Sequence, residues 1–168
     1  APYISMALTP MVLTARLVKK EHPNCKIAFI GPCAAKKLEA SRRSIRSDVD
    51  FVLTFEEVMG MFTAKEMDFD SLPSEEFFTE ASGDGKGFAI SGGVASAVVN
   101  CIKKLEPSRE VKVQSAEGLR ECRKMLTMAK AGKLNGYLLE GMACPGGCVA
   151  GAGTQQPINR SKTAVTND

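Results

Sequence analysis

The sequence predicts an α/β fold in which a mostly parallel, four-stranded sheet is flanked by helices. Four short apolar runs alternate with segments of helical periodicity, which is the pattern of repeated β–α units. No hairpin signal joins one apolar run to the next, so we expect consecutive strands to be connected through helices and to run parallel. The 168 residues are 44% hydrophobic and 24% charged, a composition that can bury a core of ordinary domain size.

The first half of the chain predicts two strands and two helices. Thr9 is followed by a proline, as at a helix N-cap and first helical position. Apolar residues then recur at helical spacing at Met11, Val12, Ala15 and Val18. Strands are predicted at residues 26–30 and 48–53. Thr54 and Glu57 have capping-box spacing, which predicts a helix that runs to about residue 66.

The second half predicts two more strands and two more helices after a long loop. The loop covers residues 68–87, which are polar and interrupted by glycine and proline. The elements that follow are a helix at residues 94–105, a strand at 111–114, a helix at 116–131 and a strand at 136–140. The later helix has an apolar face of Leu119, Cys122, Leu126 and Ala129. We assign residues 1–157 to one domain portion and 158–168 to a polar tail, and expect partial disorder beyond Thr154.

Charge and hydropathy exclude two classes of function. The net charge is +3 and the basic residues are scattered, so the chain lacks the basic patch of a nucleic-acid-binding protein. The apolar stretch at residues 4–18 is too short and too polar to span a bilayer. Six cysteines are fewer than a disulfide-stapled secreted domain would use, so we expect reduced thiols and a cytoplasmic location. Cys101 and Cys122 are expected to pack on apolar helix faces.

The strongest local motif is the glycine-rich segment Cys144-Pro-Gly-Gly-Cys148. Thiolates are soft ligands that suit zinc and iron–sulfur clusters, and the glycines allow backbone N–H groups to point at sulfur. A structural zinc site more typically has a two-residue spacing and a second cysteine pair. The motif favours a metal site over a redox or merely flexible loop.

Cys33 follows Gly31-Pro32 at the end of the first predicted strand. A helix start and nearby lysines would favour a thiolate that can bind a metal, yet a small buried side chain in a strand-to-helix turn explains the position equally well. Ligands of open α/β sheets bind beyond the carboxyl ends of the strands. We therefore expect Cys33 and the segment that begins at Met142 to converge at one edge of the sheet.

Taken in order, GPCAAKKLEA, DVDFVLTFEEV, SGGV and EGMACPGGCVAGAG resemble the C-terminal half of the catalytic domain of iron-only (di-iron) hydrogenases. The resemblance covers residues 5–157 and implies one lobe of that fold. It implies that Cys33, Cys144 and Cys148 ligate the cubane 4Fe-4S part of the active-site cluster. Cys148 would also bridge to the di-iron subsite.

The resemblance also implies a pocket around the di-iron subsite. Lys36 matches the lysine that hydrogen-bonds a cyanide ligand, Met142 matches a pocket methionine, and Phe88 matches a wall residue. Glu39 would orient the loop that carries the lysine. The implied activity is reversible hydrogen oxidation and proton reduction, with electrons exchanged through ferredoxin or a fused iron–sulfur domain.

The chain departs from the family pattern at Gly31, Met11 and Ala152, as in less studied and sensory branches. The alternatives are therefore a hydrogenase-like sensor and an iron–sulfur assembly protein without turnover. The family's upstream twin-cysteine motif is absent, so we expect a C-terminal piece of a longer protein that lacks the N-terminal half of the catalytic domain. This piece alone is expected to hold no intact cluster, with residues 144–148 mobile or rearranged.

Overall fold

The computed structural model describes residues 3–73 and 81–167. Seven α-helices are present in the described part: α1 (Pro10–Glu21), α2 (Ala35–Ala40), α3 (Phe55–Ala64), α4 (Gly83–Gly87), α5 (Gly93–Leu105), α6 (Leu119–Lys130) and α7 (Ile158–Asn167). The strands are β1 (Ala28–Ile30), β2 (Phe51–Leu53), β3 (Lys112–Glu117) and β4 (Tyr137–Met142). Two 3-10 helices lie at Phe69–Ser71 and Cys148–Ala150. None of these helices is long and apolar enough to cross a membrane.

The chain divides into two compact units, each with its own parallel pair of strands. Unit 1 consists of Ala1–Met67 and Ala152–Thr154, and unit 2 consists of Asp68–Gly151 and Gln155–Asp168, in each case as far as these residues are described. In unit 1, β1 pairs with β2, and in unit 2, β3 pairs with β4. The predicted α/β class and parallel pairing are confirmed. The single four-stranded sheet is corrected to two two-stranded sheets, because each ladder of hydrogen bonds forms within one unit.

Helix α1 supplies the core of unit 1. Its residues Met11, Val12 and Ala15 are buried, as the helical spacing predicted, and they pack with Ile45 and Val49. Thr9 lies at the N-cap position, and the proline after it begins the helix. The Thr9 side chain does not cap the helix; its hydroxyl donates to the Glu39 carboxylate instead.

The two strands of unit 1 are shorter than predicted because an aspartate occupies the start of the ladder. The Asp50 carboxylate accepts the backbone N–H of Ile27 at 2.9 Å, and Lys19 and Lys26 each donate to it at 3.1 Å. The Ile27 hydrogen bond, followed by those of the two lysines, holds the pKa of Asp50 well below its usual range. Strand pairing therefore begins at Ala28 opposite Phe51, two and three residues after the predicted starts.

The capping box predicted for α3 is present. The Thr54 side chain accepts the N–H of Glu57 at 3.2 Å, and the Glu57 carboxylate accepts the N–H of Thr54 at 2.8 Å. This reciprocal pair satisfies two donors at the start of the helix. Lys37 of α2 also donates to Glu57 at 2.8 Å, and its hydrogen bond is the largest of the causes that lower the pKa of Glu57.

The face that α6 buries in unit 2 differs from the predicted one. Met125 is buried and Cys122 and Ala129 are half-buried, whereas Leu119 and Leu126 are 74% and 60% exposed. Strand β3 extends to Glu117, opposite Met142 of β4, so the helix begins three residues later than predicted. The apolar residues of α6 form two overlapping helix faces with the same periodicity. Packing in unit 2 buries the face that contains Met125.

The polar segments contain more helix than the sequence predicted. The loop predicted at residues 68–87 contains the 3-10 helix Phe69–Ser71 and helix α4, while residues 74–80 of that prediction lie outside the described residues. The partial disorder expected beyond Thr154 is not what the described residues show, because α7 forms there and packs against α4 and the 3-10 helix Cys148–Ala150. Cys101 is exposed on α5 and not packed in a core.

Candidate functional site

The segment at residues 144–148, here called the cysteine loop, begins two residues after β4 ends at Met142. The Cys144 thiol is half-buried and Cys148 is exposed at the start of a 3-10 helix. All six cysteines carry free thiols. The predicted placement of both cysteines just after the carboxyl end of a parallel strand is therefore confirmed in unit 2.

Two glycines give the cysteine loop its path. Gly146 and Gly147 have φ angles of 98° and 93°, in the left-handed region that favours glycine. Gly147 also lies directly against the backbone of residues 89–91: a Cβ atom on it would fall 2.5 Å from the Ser91 nitrogen and 2.8 Å from the Ala89 oxygen. Both the conformation and the close approach require glycine at this position.

Backbone hydrogen bonds join the cysteine loop to residues 89–91. Ser91 N–H donates to the Gly146 carbonyl at 3.3 Å, and Val149 N–H donates to the Ala89 carbonyl at 3.0 Å. Within the loop, Gly147 N–H donates to the Cys144 carbonyl at 3.0 Å. The loop therefore has a defined set of partners supplied by the protein itself. The mobile or rearranged loop expected from the sequence stays a prediction.

A carboxylate that the sequence did not single out completes this arrangement. Glu117, the last residue of β3, accepts the N–H of Gly146 at 2.7 Å and the hydroxyl of Ser91. The Ser91 hydrogen bond, the Gly146 hydrogen bond and the nearby positive charge of Lys162 hold the pKa of Glu117 below its ordinary value, although desolvation opposes them. No local pattern marks this glutamate, because its partners lie 26 and 29 residues away in the chain.

The two predicted pocket residues of unit 2 lie at the ends of the segments that meet at the loop. Met142 is half-buried, and its carbonyl accepts the N–H of Gly118 at 2.8 Å and the Cys122 thiol at 3.6 Å. Phe88 is half-buried at the end of α4, directly before residues 89–91. Their predicted roles in a pocket remain predictions.

A second unpredicted feature is the buried carboxylate of Glu140 in β4. It is 7% exposed, and one of its oxygens accepts the N–H of Ala95 in the first turn of α5 at 3.2 Å. The other oxygen has no hydrogen-bond partner among the described residues. A cavity of about 260 Å³ lies beside it, between α5 and β4, with Val94, Val98 and Met142 in its wall.

In unit 1, Cys33 follows β1 through Gly31-Pro32, and its thiol is half-buried. The Cys33 carbonyl accepts the N–H of Lys36 at 3.3 Å, and the Pro32 carbonyl accepts the N–H of Gly153 at 2.9 Å. A Cβ atom on Gly153 would lie 2.4 Å from the Thr54 Cβ. The turn that carries Cys33 is thus closed by a backbone contact that only a glycine permits.

Lys36, the predicted hydrogen-bond donor, is held by an acidic partner in the same unit. Its ammonium forms an ion pair with Glu39, which also accepts the Thr9 hydroxyl. Burial by itself raises the pKa of the Glu39 carboxyl, but the hydrogen bonds from Lys36 and Thr9 and the charge of Lys36 outweigh it and lower this pKa. The ion pair limits where the Lys36 ammonium can lie.

This ion pair leads to a prediction about proton binding. Replacing Lys36 by methionine should raise the pKa of Glu39, because burial then opposes ionisation with only Thr9 and more distant charge against it. In the unchanged protein the lowered pKa stabilises the fold above the ordinary glutamate pKa, and this contribution is lost as the pH falls through the lowered value. An NMR titration of the Glu39 carboxyl measures its pKa in the Lys36→Met variant and in the unchanged protein.

The matched control is Lys124→Met, which breaks an ion pair with Glu121 in unit 2. It should leave the Glu39 titration unchanged. A Glu39 pKa that is the same with and without Lys36 would contradict the assignment of this ion pair.

The donor atoms present have the chemistry of an iron–sulfur site but do not complete one. Soft thiolates come from Cys144 and Cys148 on one loop and from Cys33 in unit 1, and thiolates are the usual ligands of such clusters. Across residues 3–73 and 81–167, no three His, Cys, Asp or Glu side chains form a group that could hold a metal ion. The convergence predicted for Cys33 and the cysteine loop concerns both units and stays a prediction.

Comparison with known proteins gives a consistent result. Residues 1–152 match the family model of the iron-only hydrogenase large subunit, C-terminal domain. The chain is 30% identical over 162 residues to the periplasmic Fe hydrogenase large subunit of Nitratidesulfovibrio vulgaris. This alignment covers 77% of the present chain and 38% of that protein. It is 28% identical over 191 residues to iron hydrogenase 1 of Clostridium pasteurianum, covering 89% of this chain and 33% of that one. The chain thus spans about a third of the length of these two relatives.

Not all relatives are hydrogenases. The chain is 36% identical over 74 residues to the cytosolic Fe-S cluster assembly factor NAR1 of Kluyveromyces lactis. This alignment covers 44% of the present chain and 16% of that protein. Among solved structures, a variant of FeFe-hydrogenase HydA1 from Chlamydomonas reinhardtii superposes with a TM-score of 0.71 at 20% identity. That match covers 98% of this chain and 60% of the other, and it shows a shared fold.

Proposed function

The chain belongs to the iron-only hydrogenase large-subunit family, and from this we propose that it is part of the catalytic domain of an enzyme that interconverts protons and hydrogen. The observation that carries the proposal is the placement of its thiols. Cys33 follows the parallel strand β1, and Cys144 and Cys148 follow β4, where α/β folds bind their ligands.

We assign each site residue a role in the full-length protein. Cys33, Cys144 and Cys148 would ligate the cubane 4Fe-4S cluster, with Cys148 bridging to the di-iron subsite. That cluster supplies the redox chemistry when bound. Lys36 would donate a hydrogen bond from its ammonium, a compact donor that Glu39 restrains. Met142 and Phe88 would form apolar walls that limit access of water, which is consistent with their partial burial.

The rest of the parent protein would supply what this chain lacks. The fourth cubane ligand and a proton-transferring thiol would come from the N-terminal half of the catalytic domain. Electrons would be exchanged with ferredoxin or with a fused iron–sulfur domain. We propose a cytoplasmic location from the cysteine usage, while the relatives named above include one periplasmic and one cytosolic protein.

A second candidate is a protein that binds the cluster without turning over hydrogen. The similarity to a cytosolic Fe-S cluster assembly factor favours it, as do Gly31, Met11 and Ala152, which depart from the catalytic pattern. A sensor that passes a signal to another domain is the remaining alternative. Lys36 and Met142 favour a di-iron pocket over an assembly role.

The experiment that tests the proposal uses the full-length parent. The protein is expressed anaerobically with the maturation proteins that build the di-iron subsite, and hydrogen evolution is measured by gas chromatography with reduced methyl viologen as the electron donor. We expect hydrogen evolution only when the maturation proteins are co-expressed. A parent that contains the complete cluster, by iron analysis and infrared bands of its diatomic ligands, yet has no turnover supports the sensor. A parent with iron–sulfur clusters but without those bands supports the assembly function.

The 168-residue chain by itself should bind no intact active-site cluster and evolve no hydrogen. It would contribute three of the cubane ligands, and an under-ligated cluster that faces solvent is readily lost to oxygen or chelators. Its α/β units should still fold, because helix–sheet packing does not require the metal. Anaerobic reconstitution with ferrous iron and sulfide, followed by iron analysis and a hydrogen assay, tests this. A stable cubane with an attached di-iron centre would overturn it.

A further inference from the structure

Glu117 joins three segments of unit 2 at the cysteine loop. It is the last residue of β3 and lies opposite Met142 in the ladder with β4. Its carboxylate accepts the Gly146 N–H at 2.7 Å and the Ser91 hydroxyl, so one side chain contacts both the loop and the segment at residues 89–91. Lys162 of α7 adds a nearby positive charge.

We propose that Glu117 is a positioning residue, which holds the cysteine loop in its ligand-bearing conformation before any cluster is bound. The proposal rests on the proposed function for the use of that conformation. The conformation itself is a property of this chain alone.

The hydrogen bonds of the loop explain why this one carboxylate matters. The N–H of Gly147 is used within the loop, by the Cys144 carbonyl, so it does not attach the loop to the rest of the unit. The N–H of Gly146, a buried residue with a left-handed φ angle, instead donates to the exposed residue Glu117 at the end of β3. Without this acceptor the Gly146 N–H loses its protein partner in a part-buried hydrogen bond, and the loop loses one of its attachments to β3.

The Glu117 carboxylate also links Gly146 of the cysteine loop to Ser91 by accepting a hydrogen bond from each. Ser91 donates its backbone N–H to the Gly146 carbonyl and its hydroxyl to Glu117, while Glu117 accepts the Gly146 N–H. Both polar groups of the Gly146 residue are therefore bound to one serine–glutamate pair. Because Gly146 lies between the two cysteines, the pair sets the position of Cys144 relative to Cys148.

The first test uses this chain without metal, as the variants Glu117→Ala, Glu117→Gln and Ser91→Ala. Amide hydrogen exchange at Gly146 and Val149 is measured by NMR, and alkylation of each cysteine by iodoacetamide is measured by mass spectrometry. Loss of one charge-assisted hydrogen bond should speed Gly146 exchange about tenfold in Glu117→Ala. Alkylation of the half-buried Cys144 should accelerate, and that of the exposed Cys101 should not change.

Three variants separate positioning from a general loss of stability. Glu117→Gln keeps an oxygen acceptor for Gly146 and should restore most of the protection, and Ser91→Ala should have an intermediate effect. Glu121→Ala removes a glutamate of α6 that contacts Lys124 and Arg120, and it should leave the loop unchanged. Unchanged Gly146 exchange in Glu117→Ala, or equal acceleration at amides throughout unit 2, would overturn the proposal.

The second test asks whether the conformation serves cluster binding. The full-length parent with Glu117→Ala is reconstituted with ferrous iron and sulfide, and cluster uptake is followed by absorbance and electron paramagnetic resonance. Uptake slowed relative to the unchanged parent supports the proposal. Faster exchange at Gly146 with normal cluster uptake would overturn its link to ligation. If the parent binds no cluster in any form, the proposed function fails, and the exchange experiment still decides the role of Glu117 in the loop.

Discussion

Replacing Cys148 by serine in the full-length parent should remove the active-site cluster and reduce hydrogen turnover by at least about 100-fold, because a hard hydroxyl is a poor ligand for iron–sulfur clusters. Cys144→Ser should have a similar effect on cluster content. Iron and sulfide analysis and the hydrogen assay measure the two losses separately.

The matched control for both substitutions is Cys101→Ser. The structure makes it a stronger control than the sequence predicted, because Cys101 is exposed on α5 and not packed in a core. Exchange of sulfur for oxygen at an exposed helix position should change the free energy of unfolding by less than about 0.5 kcal/mol. The cluster content should be unaffected. Equal loss of iron and sulfide in all three variants would contradict the ligand assignment.

The largest structural effect should come from Gly147→Ala. The added methyl group would lie 2.5 Å from the Ser91 nitrogen and 2.7 Å from the Ile90 carbonyl carbon, both of which are backbone atoms that cannot rotate away. The φ angle of 93° adds a conformational penalty of about 1–2 kcal/mol for a residue with a Cβ atom. Together with overpacking, the free energy of unfolding of unit 2 should fall by about 2–5 kcal/mol. Chemical denaturation followed by circular dichroism measures it.

Gly136→Ala separates the two causes. Gly136 precedes β4 and has a similar φ angle of 80°, but no atom lies within 4 Å of the position that its Cβ atom would take. This substitution should cost only the conformational penalty, about 1 kcal/mol. The difference between the two variants then reports the steric cost of placing a methyl group against the backbone of residues 89–91. Equal destabilisation would mean that this contact is not as close as the structure gives it.

Features that depend on neighbouring residues could be predicted from the sequence. The proline after Thr9 begins α1, the spacing of Thr54 and Glu57 forms a capping box, and Met11, Val12 and Ala15 form a buried face. Each of these follows from propensities and hydrogen bonds within a few residues of the chain. The positions of all four strands were predicted for the same reason, with errors at their ends.

The motif chemistry could be predicted as well, to the level of residue type. Thiols within glycine-rich turns indicate a metal ligand set, and the two glycines of the cysteine loop do have the left-handed φ angles that the motif implied. The family assignment followed from several such motifs in order, and the match over residues 1–152 confirms it. The roles of individual residues in the site remain proposals.

The tertiary structure alone decided which strands pair, which face of α6 is buried and what holds the cysteine loop. β2 pairs with β1 and β3 pairs with β4, and no local pattern indicated that the four strands divide into two sheets. Met125 is buried in place of Leu126 because packing chose between two faces of equal periodicity. Glu117 reaches a loop 29 residues further along the chain. Such contacts depend on where distant segments meet, and that is set by the packing of the whole unit and not by the local pattern of residues.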